Sequence, residues 1–345
     1  MKKLLTLATL ATIALASCNN DESPAVPETG ADLIRFGAQA LTVNTKAPFE
    51  GTISSSNTLT AYVIGAQASN SYGLIYADTD AAEAKGDVTF TDNGVTQSGF
   101  STGVKWPAST ATAIYFRGFY PAGSVWNAAA TSATASIDGK TDLMNATEIS
   151  GTKASVVATP LLFKFSHLLT KLHVKVQGNA ATAKDWGKIT KIELSKAINQ
   201  IPANQLTYTY AGDVATFAGS LVTPFYAVTD GASVSYSDEA FAGMSYDIPT
   251  TSTLAAYALV APVTGVAGSG DAKDEYTLKL TTTAGSATTG KEVAINLQGL
   301  DGKDFTGSTA GKKFDITIQF LSEGQITATA TVKDWVDGGS GNGQM

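Results

Sequence analysis

The sequence predicts an all-β protein built as two domains, and three observations carry that expectation. Apolar residues recur with a period of two rather than 3.6. Thr, Ala, Val, Gly and aromatic residues fill the segments between turns, and no long amphipathic helix is visible in the 345 residues. With 43% hydrophobic and 15% charged residues the chain can bury large cores, and its length suits roughly 100–200 residues in each of two domains. The net charge of -7 is spread along the chain without a basic block, which argues against a nucleic-acid partner.

The elements follow in order. Residues 1–17 open with Lys2 and Lys3 and continue as an apolar run from Leu4 to Ala14, a secretory signal too short to be a stable bilayer span. Small residues then precede the only cysteine, in Leu15-Ala16-Ser17-Cys18, which resembles a bacterial lipobox in which Cys18 is acylated and becomes the first mature residue. Spending the single thiol on lipid leaves none for disulfides, Cys-ligated zinc or a thiol nucleophile. The following Asn19-Asn20-Asp21-Glu22 resembles the acidic tag of surface-exposed lipoproteins of the Bacteroidetes, and residues 18–31 read as a flexible tether.

A first strand is expected over residues 32–43, with Ile34, Phe36, Ala38 and Ala40 facing inward and Arg35, Gly37 and Gln39 outward. Ile114, Phe116 and Tyr120 punctuate a later strand that Pro121 ends. The composition shift at residues 178–185 is the expected linker, dividing an N-terminal domain (32–178) from a C-terminal one (186–345). In the second domain Tyr276, Leu278 and Leu280, then Val293, Ile295 and Leu297, keep one phase. The clearest element is the last hairpin: Phe314, Ile316, Ile318 and Phe320 alternate with polar residues, and after Ser322-Glu323-Gly324 so do Ile326, Ala328, Ala330 and Val332.

Few residues carry chemistry. His167 and His173, the only histidines, are expected at the surface, His173 beside Lys171 and Lys175; on one straight strand their rings would lie about 20 Å apart, too far to share a metal ion. Asp271 to Glu275 and Asp301 to Asp304 read as acidic turns, although such sets can hold calcium. With no phosphate loop, Gly-x-Ser-x-Gly elbow or His-Glu-x-x-His, no catalytic residue, metal site or cofactor is expected.

The order of three segments is more specific. Phe116-Arg117-Gly118-Phe119-Tyr120-Pro121 is followed by Asp142-Leu143-Met144-Asn145-Ala146, in which Asp142 is expected to cap a turn, and by the run from Phe163 through His167 to Leu172. Together with Ile34 and Phe36 early, Tyr257 to Pro262 later and a terminal Lys333-Asp334-Trp335, this resembles the fimbrillin or Mfa-like family of Bacteroidetes surface lipoproteins, subunits of type V pili. The resemblance implies two transthyretin-like β-sandwich domains and an outer-membrane, fimbrial location. It also implies a stalk or anchor subunit whose partners are other fimbrial subunits and surface glycans or proteins.

Stalk subunits of that family lose an N-terminal segment to an arginine- or lysine-specific protease and accept a strand from another subunit's C-terminal region. Here the strand over 32–43 would be the removable one, Lys46 the cut site with Arg35 as alternative, and residues 325–335 the donor. The family's usual site is arginine followed by alanine, so a lysine is a departure. A second reading is a monomeric surface adhesin or glycan-binding lipoprotein on the same fold, with Trp106, Trp126 and Trp186 as stacking platforms. A surface hydrolase is a third.

Overall fold

The computed structural model describes residues 32–40, 53–92, 98–156, 161–198, 200–229, 234–264, 274–298, 304–322 and 325–334. The fold is nearly all β, as the period-two pattern predicts, with one seven-residue helix and one short 3-10 turn among the described residues.

Three sheets organise it. An eight-stranded sheet runs Ser71–Ile75, Leu59–Ala68, Ile114–Tyr120, Met144–Gly151, Leu161–His167, Arg35–Ala40 and Ser98–Gly99, with Lys85–Phe90 beside Leu59–Ala68. One face encloses a core that includes Leu59, Ala61, Val63, Phe116 and Phe163. An eleven-stranded sheet belongs to the second half of the chain and closes on a core of Leu172, Val174, Ile192, Leu278, Ile295 and Ile316. The third sheet has four strands: Asn127–Ala128 and Ser132–Ser136 come from the first half, Gln205–Thr209 and Val214–Ala218 from the second. Ser132–Ser136 pairs with Gln205–Thr209 over five residues, and a third core of Phe119, Trp126, Ala133, Leu206 and Tyr208 lies against this sheet.

The expected domain division needs two corrections. The run from Leu161 to Val176 is not one strand. Leu161–His167 stays in the first sheet, while Thr170–Gln177 pairs antiparallel with Thr253–Val260 and parallel with Lys312–Phe320 in the second. The chain therefore crosses at Leu168 and Leu169, the latter fully buried. The expected linker is instead the helix Ala180–Trp186. Asn179 caps it by accepting from the N–H groups of Ala181 (2.9 Å) and Thr182 (3.0 Å), and the Thr182 hydroxyl accepts from the Asn179 N–H in return. Trp186 anchors the helix, packing edge-on against Phe320 and donating from Nε1 to the Leu321 carbonyl at 2.9 Å.

Candidate strand-exchange groove

The strand Arg35–Ala40 lies parallel to Leu161–His167, with Phe36 opposite Leu161, Ala38 opposite Phe163 and Ala40 opposite Phe165. Among the described residues its other edge pairs with the two residues of Ser98–Gly99. Just upstream, Ile34 N–H donates to the Val104 carbonyl and Trp106 N–H to the Asp32 carbonyl, both at 2.8 Å. Gly99 makes the close approach possible: a Cβ there would sit 2.8 Å from the Ile34 carbonyl oxygen.

The alternation predicted from sequence places Ile34, Phe36 and Ala38 in the core, each no more than 1% exposed, and Arg35 outside, whereas Gly37, expected outside, is buried. Phe36 is the anchor. Its ring centroid lies 4.8 Å from that of Phe116, 5.1 Å from Phe163 and 5.6 Å from Phe100. Burying Ile34 and Phe36 contributes roughly 1.5–3 kcal/mol each. Lifting the strand out would leave an aromatic trough beside an unpaired backbone edge, the geometry that takes up an extended peptide. Phe100 and Gly99, which shape this trough, carry no sequence signal that marks them. Lys46 and Cys18 lie outside the described residues. Arg35 is described, and its backbone is paired with Gly99, so a protease would need that pairing opened first.

At the other end, Ile326–Asp334 pairs antiparallel with Lys312–Phe320 through nine positions, from Phe320 opposite Ile326 to Lys312 opposite Asp334. Among the described residues it meets Lys291–Gln298 through Leu297 opposite Ala330 and Gln298 opposite Thr331. Ala330 is buried, Ile326 and Ala328 are half-buried against the core, and Thr327, Thr329 and Thr331 face out. Val332 is opposite Phe314 in the register. The strand thus sits in its own sheet, and donating it requires leaving the Lys312–Phe320 strand.

The histidines are not surface residues. His167 is buried at its ring, its Nδ1 3.0 Å from the Asp142 carboxylate. The turn preceding Asp142 is capped by Asp138, which accepts from the N–H groups of Lys140 and Thr141. His173 is 5% exposed and Lys171 0%, because Tyr236 of the Ser235–Ala240 edge strand covers the sheet face that Lys171, His173 and Lys175 share. Lys171 Nζ donates to the Tyr236 hydroxyl at 2.7 Å, and that hydroxyl lies 3.0 Å from His173 Nε2. On the far side Asp315 is 3.6 Å from His173 Nδ1 and 3.4 Å from Lys175 Nζ. Burial, then the Lys171 ammonium, pushes the His173 imidazole down to about 3, and burial, then Lys313, holds Lys171 well below the ordinary lysine range.

The tryptophans are not platforms either: Trp106, Trp126 and Trp186 are 5%, 5% and 1% exposed. Residues 271–273 and 301–303 of the two acidic turns lie outside the described residues. Sequence reasoning missed a buried arginine. Arg117, 1% exposed, donates to Asp213 Oδ1 and Asn70 Oδ1 at 2.6 Å each and to the Tyr210 carbonyl at 2.9 Å, and it stacks over the Tyr210 ring at 5.2 Å. It clasps the first sheet to the hairpin arriving from the second half. Its place between Phe116 and Gly118 in an apolar strand was the only hint.

Comparison with known proteins agrees with this architecture. A family model described as fimbrillin-like matches residues 45–335. A search of curated proteins finds no significant match. Among solved structures, a candidate cell-adhesion protein from Bacteroides uniformis is similar at 16% identity and a TM-score of 0.51, the match covering 88% of this chain and 98% of that one. A fimbrial protein from Bacteroides vulgatus aligns at 15% identity and a TM-score of 0.46, covering 88% and 99%. The fimbrial anchor protein Mfa2 from Porphyromonas gingivalis aligns at 11% and 0.37, covering 88% and 97%. Since the family match spans most of the sequence, from just after the first strand to the end of the last, this chain belongs to the fimbrillin-like family.

Proposed function

We propose that the protein is a structural fimbrial subunit, exported as an outer-membrane lipoprotein through Cys18 and assembled by protease-triggered strand exchange. Cleavage at Lys46, or at Arg35, releases the first strand, and residues 325–335 of another subunit take its place. The observation that carries this reading is the first strand itself. Ile34, Phe36 and Ala38 fill the core from a strand paired along one edge with Leu161–His167 and, among the described residues, with Ser98–Gly99 on the other. The family match begins at residue 45, so this plug precedes the matched region, and Lys46 lies at its start.

An incoming strand with Ile326, Ala328, Ala330 and Val332 has the same alternation as Ile34, Phe36, Ala38 and Ala40, although its side chains are smaller at the Phe36 position. The donor must first leave nine paired positions in its own sheet, so exchange trades one closed sheet for another and needs the trough's apolar surface to drive it. N-terminal sequencing of the surface protein, with an unboiled denaturing gel, tests the reading. The expectation is a start at Ala47 and a ladder of polymers, both lost in Lys46→Ala. A ladder that persists in Lys46→Ala and in Arg35→Ala alike overturns it.

A further inference from the structure

The outermost strands of this fold are guarded, with one exception. Lys85–Phe90 carries Lys85 and Asp87, and Ser235–Ala240 carries Asp238 and Glu239. Ser71–Ile75 is backed by residue 130, whose carbonyl accepts from the Tyr72 N–H at 2.6 Å, and four more outermost strands are two residues long. Charge, cover and shortness all blunt an edge. Val214–Ala218, outermost in the four-stranded sheet, reads Val-Ala-Thr-Phe-Ala, without a charge or a proline, and its outer side pairs with no strand among the described residues. The surface that continues it is equally bare. Residues 198–222 contain a single charged residue, Asp213, which Arg117 neutralises at 2.6 Å. Among the described residues, five of the six exposed large apolar side chains fall in this stretch: Ile198, Ile201, Val214, Leu221 and Val222. The two arms of the hairpin stay together beyond the strand, Asn204 N–H donating to the Ala218 carbonyl at 3.1 Å and Leu221 N–H to the Pro202 carbonyl at 3.0 Å.

The charge pattern points to a second copy as the occupant. A chain of net charge -7 repels its own copies, so two of them meet at least cost where neither presents a free charge. Antiparallel pairing across a two-fold axis sets a strand against itself, and any charge on it opposes its own kind. This strand has none to oppose. Centred on Thr216, the pairing places Thr216 against Thr216, Val214 against the partner's Ala218 and Ala215 against the partner's Phe217. Threonine pairs directly opposite each other are favourable. Ala215 and Phe217 are half-buried against the third core, so the pairing carries that core across the axis and covers more of Phe217.

We infer that two copies of this chain join edge to edge through Val214–Ala218, across a two-fold axis at Thr216, so that their four-stranded sheets become one. The contact involves neither Phe36 nor its trough, so the uncut chain suffices to test it and failure of strand exchange leaves it standing. Made in a host without an arginine- or lysine-specific surface protease and extracted in detergent, the full chain should show the protein mass of a dimer by light scattering. Thr216 is exposed, so Thr216→Lys and Thr216→Glu should keep the melting temperature, yet each should weaken the dimer at least about tenfold by setting like charges face to face. Mixing the two variants should restore it. Should a charged variant melt early, a cysteine pair decides, because Cα atoms directly opposite each other lie about 4.5–5.5 Å apart, within the span of a disulfide. Oxidised with copper phenanthroline, Thr216→Cys should link into dimers at least about tenfold faster than Leu74→Cys, which is 88% exposed on another strand. The inference is overturned by a monomeric parent, by a dimer that folded Thr216→Lys leaves intact, by charged variants that stay monomeric when mixed, or by equal linking of the two cysteine variants.

Discussion

Acid should destabilise this protein through His173 in particular. In the folded state the imidazole lies under Tyr236 with its Nε2 facing that hydroxyl, and its affinity for a proton falls to about 3. In the unfolded chain it returns to about 6.5. A folded-state value below the unfolded one means that the unfolded chain binds more protons between the two, so stability present above pH 6.5 is lost as pH falls toward 3. The loss approaches about 1.4 kcal/mol per pH unit, amounting to about 2 kcal/mol between pH 7 and 5 and about 3 by pH 4.

His173→Gln removes this slope. It also removes the imidazole from the Tyr236 hydroxyl, which lowers stability at pH 7. Groups remote from His173 cancel in the difference between the two proteins. The assay is urea unfolding of parent and variant at pH 7, 6, 5 and 4, followed by tryptophan fluorescence, since Trp106, Trp126 and Trp186 are all buried. The gap between the two proteins should narrow by about 2 kcal/mol from pH 7 to 5. Parallel curves would refute the reasoning and return His173 to a solvated site. Lys171 acts in the alkaline range with the same sign: held below 10.5 in the fold, it should make stability rise as pH climbs toward 10.5, and Lys171→Met should flatten that rise.

Three further expectations follow from the packing and the proposed lipid anchor. Phe36→Ala should cost the uncut protein about 3–5 kcal/mol in denaturant unfolding, since three aromatic rings lose their common partner; a loss below 1 kcal/mol would mean that the strand is not seated in the core. Arg117→Met should cost roughly 2–3 kcal/mol by stranding Asn70 and the Tyr210 carbonyl, whereas Asp213→Asn, at a half-exposed site, should cost under about 1; equal losses would place the energy in the ion pair instead. Cys18→Ala should abolish palmitate labelling and release the protein from the outer membrane, and label retained by the variant would refute lipid anchoring.

Much of this was legible where one local rule decides the outcome. The last hairpin declared itself because Phe314, Ile316, Ile318 and Phe320 have one covered face and one wet face, and the register bears out that alternation. The first strand was readable for the same reason at Ile34, Phe36 and Ala38. The rule failed where a second layer covers the other face. Lys171, His173 and Lys175 follow the alternation, yet Tyr236, more than sixty residues away, makes the predicted outside an inside. Nothing between Leu161 and Val176 signals that the chain changes sheets at Leu168, because both strands are apolar on one face and the break costs no turn residue. The helix at Ala180–Trp186 did carry a local signal, Asn179 three residues before Thr182, hidden by the small residues around it.

The four-stranded sheet has a consequence for how the chain folds as it is synthesised. Residues delivered first include Phe119, Trp126, Ala133 and Ala135, and their cover includes Leu206, Tyr208 and Tyr210, which follow some seventy residues later. Until those arrive, the early half presents a bare apolar surface and an open strand edge at Ser132–Ser136, and Arg117 awaits Asp213. The N-terminal half therefore cannot complete itself as it is made. Expressed alone as residues 32–178 it would carry that surface permanently and aggregate, so splitting the protein at its sequence midpoint yields two fragments that each lack part of the same sheet.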